Sequence, residues 1–259
     1  MPVAITTELI KELRDQTGVS VMQCKRALEE AEGDMKKALA ILKKTSADIA
    51  MKKADRLAND GAVIVKAADG KAVLVTLHCE TDFVAKNSDF TNLLSTLADV
   101  ALNGGVEKMK SEAKNMIDLV IQKTGENIQL GESFEVVGSI LGNYVHNGKS
   151  AVIVSLDGGT PELAKDIAMH IAAMKPEYMN AGEITDEARQ TVKEISKKEV
   201  DASDKPEEIK KKMLDGKIST YFKERTLLDQ PFIKNGDMSV GKLLESAKAA
   251  VKEVKRYSI

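Results

Sequence analysis

Residues 61–87 read GAVIVKAADGKAVLVTLHCETDFVAKN, and much of the predicted architecture follows from this stretch. Two short apolar runs flank Asp69-Gly70. An Asp-Gly pair readily adopts the positive φ angles of a tight turn, so the pattern predicts a β-hairpin whose second strand covers residues 71–79. The helical spacing of apolar residues after the hairpin predicts a helix from 88 to about 101.

Seven residues, 81–87, connect the predicted strand to the predicted helix, and connecting segments often carry function. Asp82 and Phe83 stand side by side there. The chain has only five Phe, four Tyr and no Trp, so an aromatic residue in a connecting segment is unusual for this chain. Two interpretations stay open. Either Phe83 caps the local core while Asp82 caps the next helix, or the pair serves a function.

A second hairpin with the same organisation is predicted around Asn147-Gly148, with apolar runs on both sides. Thr160-Pro161-Glu162 then begins a helix that extends to about residue 174. We therefore predict an α+β fold whose core consists of two related α+β subdomains. The first covers 56–131 and has an extra helix at 107–123; the second covers 132–182 and 226–259.

The first 45 residues predict a compact bundle of three short helices. Gly18 and Gly33 mark the turns between them, and Ser20 with Gln23 forms a capping box at the second helix. The size and turns are typical of a ubiquitin-associated-type bundle, which binds a partner's surface rather than hosting chemistry. Residues 45–59 are interpreted as a linker helix or tether, so the predicted N-terminal domain is 1–55.

Residues 183–225 form a charged excursion from the second subdomain. Two helices are predicted, joined by a turn at 201–206. The first has sparse apolar positions at Val192, Ile195 and Val200, and the second has apolar positions that could face them, at Ile209, Met213, Ile218 and Phe222. The narrow seam is typical of an inserted antiparallel coiled-coil hairpin. A solvated helical pair without a partner is an equally open interpretation. After the hairpin, we predict a final helix over 240–251.

Composition excludes several classes of function. The net charge is −2 and the pI about 6.0, which argues against broad binding to a phosphate backbone. No apolar run approaches the ~20 residues that span a bilayer, and the N-terminus is expected to be neither a signal nor a transit peptide. Cys24 and Cys79 are far apart, which favours a reducing cytoplasm.

No catalytic or metal-binding motif is found in the sequence. His78 and Cys79 are adjacent on a strand, so their side chains are expected on opposite faces and not as a nucleophile and its base. His170 lies in an apolar helix and is expected to be half-buried and hydrogen-bonded, whereas His146 lies at an exposed hairpin tip. We therefore predict that the protein is not an enzyme and that it uses no cofactor and no metal ion.

At this point the chain resembles the bacterial translation elongation factor Ts family. The matching blocks are 17–28 (TGVSVMQCKRAL) with Gly33-Asp34, 80–86 (ETDFVAK), 125–128 (GENI), 168–173 (AMHIAA) with Pro176, and 230–232 (QPF). They occur in family order over nearly the whole chain. The resemblance implies a guanine-nucleotide exchange factor that binds elongation factor Tu, mainly one-to-one, in the cytoplasm, with no direct contact to nucleic acid, membrane or a small-molecule substrate.

The resemblance also implies roles for individual residues. Residues 81–84 (Thr81, Asp82, Phe83 and Val84) are expected to enter the GTPase near its Mg²⁺ and phosphate site and to promote GDP release. Val19 and Met22 in the bundle and His146 at the second hairpin tip are expected to contact the same partner.

Two departures from the family pattern accompany the resemblance. Gly131 and Glu132 stand where basic residues are usual, and the C-terminal helical module of longer members is expected to be absent. The sequence leaves two alternative functions: a non-exchanging adaptor or chaperone with a ubiquitin-associated-type bundle, and a small hydrolase using Cys79 or His78. The Asp82-Phe83 pair separates the exchange factor from the adaptor.

Overall fold

The computed structural model describes residues 5–203 and 205–259. The fold is α+β, with helices and small antiparallel sheets. It divides into two compact units: one holds the chain up to Val137 with Val145–Ala151 and Lys255–Ile259, and the other holds Gly138–Tyr144 and Val152–Val254. The first four residues of the predicted bundle, and Asp204 in the predicted turn at 201–206, lie outside the described residues. Among the described helices none is long and apolar enough to cross a membrane.

The N-terminal bundle consists of α1 (Thr7–Thr17), α2 (Val21–Glu30) and α3 (Met35–Lys53). Each helix begins at a side-chain cap, and the predicted capping box at Ser20 is present. Gly18 adopts φ 69°, the left-handed conformation that ends α1. The small core of the bundle contains Leu13, Val19, Cys24, Ala27, Leu28, Ala31, Ala38 and Leu42.

Helix α3 continues through most of the predicted linker. It ends only at Lys53, and the side chains of Ser46 and Ala50 in its second half are buried. The Ser46 hydroxyl donates a hydrogen bond to the side-chain oxygen of Gln122. The linker-helix interpretation therefore describes this stretch, and a loose tether does not.

The first unit contains a three-stranded antiparallel sheet of β1 (Asp60–Ala68), β2 (Lys71–Cys79) and β3 (Ile128–Val137), in the order β1-β2-β3. Asp69 and Gly70 have φ 49° and 74°, as a tight Asp-Gly turn requires. The sequence did not predict β3. Its pairing with β2 shifts register between Val75 and Leu77, because Gly131 and Glu132 both lie opposite Thr76 in a bulge. The predicted subdomain boundary at 131 thus lies inside this strand, and the unit continues to Val137.

Three helices cover this sheet: α4 (Asp82–Ala85), α5 (Ser88–Gly104) and α6 (Val106–Thr124). Their buried faces pack with β2 in one hydrophobic core, in which Phe90, Leu97 and Met109 are fully buried. Fully burying a side chain of this size contributes about 1.5–3 kcal/mol to the free energy of unfolding. Cys79 at the end of β2 and Ala85 of α4 both belong to this core, so the connection between the two elements is anchored at each end.

The second predicted hairpin is formed by β4 (Ile140–His146) and β5 (Ser150–Asp157), and α7 (Pro161–Met174) follows it. Thr160 caps α7, and Pro161 occupies its first turn, as the sequence predicts. The helices α8 (Asp186–Asp201) and α9 (Glu207–Lys223) then pack against each other. Their contact differs from the predicted seam at two positions: Ile195 is 56% exposed and Ile209 is 45% exposed, and Ser196 of α8 is buried instead.

The predicted final helix over 240–251 is wrong in its second half. After the short strands β6 (Pro231–Phe232) and β7 (Asn235–Ser239), helix α10 covers only Val240–Ser246. Lys248 adopts φ 49°, and Ala250–Ser258 form strand β8, which joins a sheet in the order β4-β5-β8. The segment becomes a strand because β5 offers it a row of backbone hydrogen-bonding groups, and tertiary pairing outweighs local propensity.

Candidate functional site

The connection predicted between β2 and α5 contains a single helical turn, α4. Thr81 is its N-cap, with an extended backbone at φ −132° and ψ 157°, and its hydroxyl oxygen accepts a hydrogen bond from the Val84 N–H at 3.4 Å. Ala85 is buried and Val84 packs partly against the core. The turn therefore packs on the hydrophobic core through Val84 and Ala85, whereas the side chains of Asp82 and Phe83 lie outside the core.

Phe83 is 83% exposed, the highest value among the large apolar side chains in the described ranges. Phe90, seven residues further on, is fully buried. Phe83 therefore does not cap the local core. Asp82 does not cap the next helix either, because the N-cap of α5 is Asn87, whose side chain accepts from the Asp89 N–H at 2.8 Å.

Asp82 carries its charge at the surface. Its carboxylate lies 2.7 Å from the Lys86 ammonium, with the two side chains 49% and 74% exposed. The hydrogen bond to Asp82 raises the pKa of Lys86. Exposed pairs of this kind contribute little to stability because water screens them, so a stronger partner can draw Asp82 away at low cost.

Cys79 lies next to this turn but has the character of a core residue. It is fully buried, and its thiol donates to the Thr81 carbonyl oxygen at 3.2 Å. Burial, with the nearby carboxylates of Asp60 and Glu126, raises the pKa of the thiol to about 12. The raised pKa strongly disfavours the thiolate that nucleophilic chemistry needs.

The histidines give no support to the hydrolase alternative. The His78 ring nitrogen Nε2 lies 2.9 Å from the Tyr257 hydroxyl, so its partner is a tyrosine. His170 is fully buried, not half-buried as predicted: its Nδ1 accepts from the Ile233 N–H at 3.2 Å, and its Nε2 lies 2.9 Å from Gln230 Oε1. An accepting Nδ1 places the ring proton on Nε2, which donates to Gln230. In the described residues no group of three or more potential metal ligands occurs.

The two bundle residues named by the resemblance differ in accessibility. Met22 is 58% exposed, and its neighbour Val21 is 48% exposed. Val19 is only 2% exposed and belongs to the bundle core. Its side chain stabilises the bundle and presents no surface to a partner, so the apolar surface at this end of α2 consists of Val21 and Met22.

His146 lies at the end of β4, beside the turn formed by Asn147 and Gly148 with φ 51° and 66°. It is exposed, as expected for a hairpin tip. The tip is held against β1, since the Gly148 carbonyl accepts from the Val63 N–H at 2.8 Å and Lys149 pairs with Asp60. The hydrogen bond from Lys149 lowers the pKa of Asp60.

The structure thus brings Thr81, Asp82, Phe83 and Val84 together on one turn and places Met22 and His146 on separate elements of the same unit. One residue beside the turn was not singled out from the sequence. Glu126 accepts hydrogen bonds from Glu80 and from Thr81, the N-cap of the turn. Only its place in the block at 125–128 pointed to it.

Comparisons with known proteins point to the same family as the sequence blocks quoted above. The family model described as "Elongation factor TS" matches residues 80–259. The chain is 41% identical to elongation factor Ts of Hahella chejuensis, over 99% of this chain and 92% of that protein. It is 40% identical to elongation factor Ts of Thioalkalivibrio sulfidiphilus, over 98% and 92% of the two chains, and 39% identical to that of Pseudomonas aeruginosa, over 98% and 91%. With a family match over more than half of its length and relatives of this identity over nearly all of it, the chain belongs to the elongation factor Ts family.

Proposed function

We propose that this protein is a guanine-nucleotide exchange factor that binds elongation factor Tu and promotes GDP release during translation elongation. The observation that carries the proposal is the exposure of Phe83, 83%, on a turn seated firmly on the core. An aromatic ring that contributes nothing to its own core is available to another protein's surface, and aromatic residues are enriched among the residues that dominate binding.

Phe83 acts in this proposal as a wedge. Burying its ring in the partner contributes roughly 2–3 kcal/mol. If that burial is possible only when the nucleotide site is distorted, the contact favours the nucleotide-free state. Linkage then requires that the affinity of the partner for GDP falls by the same factor.

Asp82 adds a competition of charges. Bound GDP is held by backbone donors, a helix dipole and a Mg²⁺ ion that bridges phosphate oxygens. A carboxylate brought near these groups offers them an alternative acceptor and weakens their hold on phosphate and metal. The exposed pair with Lys86 must open first, and such pairs are weak.

Two further surfaces complete the proposed contact. Val21 and Met22 give the bundle an exposed apolar surface, and His146 stands at an anchored hairpin tip. We assign the bundle to the ubiquitin-associated type and the hairpin of α8 and α9 to an inserted antiparallel coiled coil, and we treat the units around the two β-hairpins as related subdomains. The complex is one-to-one, involves no direct contact to nucleic acid, and forms in the cytoplasm where translation occurs.

The test is the release of a fluorescent GDP analogue from purified elongation factor Tu, followed by stopped-flow on adding this protein with excess unlabelled GDP. We expect the release rate to rise with the concentration of the protein and then to saturate. A protein that binds the GTPase without accelerating release would instead be the adaptor or chaperone, and the proposal would fail.

A further inference from the structure

The carboxylate of Glu126 accepts three hydrogen bonds from the residues that precede the exposed pair. The donors are the Glu80 N–H at 3.1 Å, the Thr81 N–H at 3.0 Å and the Thr81 hydroxyl at 2.6 Å. Glu126 follows α6, where Gly125 turns the chain with φ 77°. The contact therefore joins two segments that are 45 residues apart in the chain.

A second set of contacts runs in the opposite direction. The Glu80 carboxylate accepts from the Asn127 N–H at 2.7 Å and lies 3.5 Å from the Arg56 guanidinium. Asn127 is 2% exposed, and its side chain donates to the carbonyl oxygens of Arg56 at 2.7 Å and Ala54 at 3.3 Å. We call Glu80, Thr81, Glu126 and Asn127 the Glu126 clamp. It joins the segment after α3, the start of the exposed turn and the junction of α6 with β3.

The turn α4 needs these contacts because its own hydrogen bonds and packing stabilise it only weakly. A single helical turn is not stable in isolation, since the entropy lost in fixing its residues exceeds the gain from one hydrogen bond. The hydroxyl cap of Thr81 is long at 3.4 Å, and of the turn's residues only Ala85 is buried. Hydrogen bonds to a charged acceptor are about twice as strong as neutral ones, so the Glu126 carboxylate is the strongest polar restraint on Thr81.

We propose that Glu126 is a positioning residue for Asp82 and Phe83, an inference that rests on the proposed exchange function. By holding the two backbone N–H groups and the hydroxyl at residues 80 and 81, it fixes the direction in which the next two side chains leave the core. A wedge held in its binding geometry loses less conformational entropy on association than a mobile one. Glu126 acts through the turn and makes no contact of its own with the partner.

A purely structural role would also fit the contacts, because Glu126 closes the α6–β3 junction. The two roles differ in their dependence on Phe83. A positioning residue affects exchange only while there is a wedge to position. A residue that merely stabilises the junction affects exchange equally with or without the Phe83 ring.

The experiment is a double-mutant cycle on the full chain, read out by the rate of GDP release from the GTPase. We expect Glu126→Ala to slow release about tenfold, which corresponds to about 1.4 kcal/mol. In the Phe83→Ala background the same substitution should change the rate by less than about twofold, because the two residues act as one unit. Glu112→Ala on the exposed side of α6 is the matched control, and it should leave the rate at that of the parent.

Two measurements keep the test decisive. Amide hydrogen exchange of residues 80–86 in the free protein should be faster in Glu126→Ala than in Glu112→Ala. If Glu126→Ala does not fold, Glu126→Gln keeps the size of the side chain and an accepting oxygen but removes the charge, and it should slow release about threefold, again only while Phe83 is present.

The outcomes separate this inference from the proposal beneath it. If Phe83→Ala alone leaves GDP release unchanged, the exchange mechanism itself is wrong. If Phe83→Ala slows release and Glu126→Ala does not, positioning by Glu126 is overturned and the wedge stands. Equal slowing by Glu126→Ala in both backgrounds also overturns it, because Glu126 would then act elsewhere.

Discussion

Replacing Phe83 by alanine separates a role in folding from a role in binding. The ring is 83% exposed, so its removal takes away little buried surface, and the free energy of unfolding should change by no more than about 0.5 kcal/mol. Phe90 is the internal control because it is the same residue type, seven positions away, and fully buried. Phe90→Ala should lower the free energy of unfolding by about 3–5 kcal/mol.

Phe83→Ala should slow GDP release strongly, although it changes the free energy of unfolding very little. A desolvated aromatic anchor contributes about 2 kcal/mol or more at an interface. Losing that amount from the nucleotide-free complex should slow GDP release about 30-fold. Asp82→Ala should act in the same direction by a smaller amount, and the two effects need not add because the residues are neighbours.

The measurement is paired: thermal unfolding of each free variant, and stopped-flow release of fluorescent GDP from the GTPase. The reasoning is refuted if Phe83→Ala melts many degrees below the parent and yet, while folded, releases GDP at the parental rate. Phe83 would then be a core residue despite its exposure. Phe90→Ala guards against the converse error, since a destabilised but folded variant with an intact turn should still accelerate release.

Three further predictions concern other parts of the chain. Met22→Ala should weaken binding to the nucleotide-free GTPase about tenfold with an unchanged melting temperature, as seen by titration calorimetry and thermal unfolding. Burial lowers the pKa of His170 below its ordinary 6.5, so just below pH 6.5 the unfolded chain binds a proton that the folded protein does not. The free energy of unfolding should therefore fall as the pH decreases below about 6.5. His170→Gln should flatten that pH dependence, as measured by urea titrations at several pH values. Gly131→Arg should lower the free energy of unfolding by about 1–3 kcal/mol, because a Cβ there collides with Thr76 Oγ1, whereas Glu132→Arg at the exposed neighbouring position should not.

The parts of the fold that the sequence predicted are those that local chemistry determines. The turns at Asp69-Gly70 and Asn147-Gly148 formed as expected because both residues of each pair tolerate positive φ. The capping box at Ser20 is present for the same reason: its two hydrogen bonds are made within four consecutive residues. In such cases the physical cause and the sequence pattern occupy the same few residues.

The parts that the sequence missed are those that distant pairing determines. Strand β3 was not foreseen, since the bulge at Gly131 and Glu132 interrupts its alternation. The start of strand β8 fell inside the predicted helix over 240–251, and the rest of the strand was not predicted, because its lysines and valines suit either structure until β5 provides a neighbour. The domain boundaries proposed from the sequence stay predictions, and the division of the described chain into two compact units does not coincide with them.

The candidate site also combines residues that local sequence reveals with a residue whose position depends on distant pairing. Asp82 and Phe83 could be singled out from the sequence because an acid beside an aromatic is conspicuous in a chain with so few aromatics. Glu126 could not, since its partners are set by the register of β2 on β3. Cys79 lies opposite Ile128 in that register, which carries Glu126 to the start of the exposed turn. A shift of this pairing by one residue would leave the sequence of the turn intact and remove its clamp. The unforeseen strand β3 therefore both completes the sheet and positions the residue that holds the turn in place.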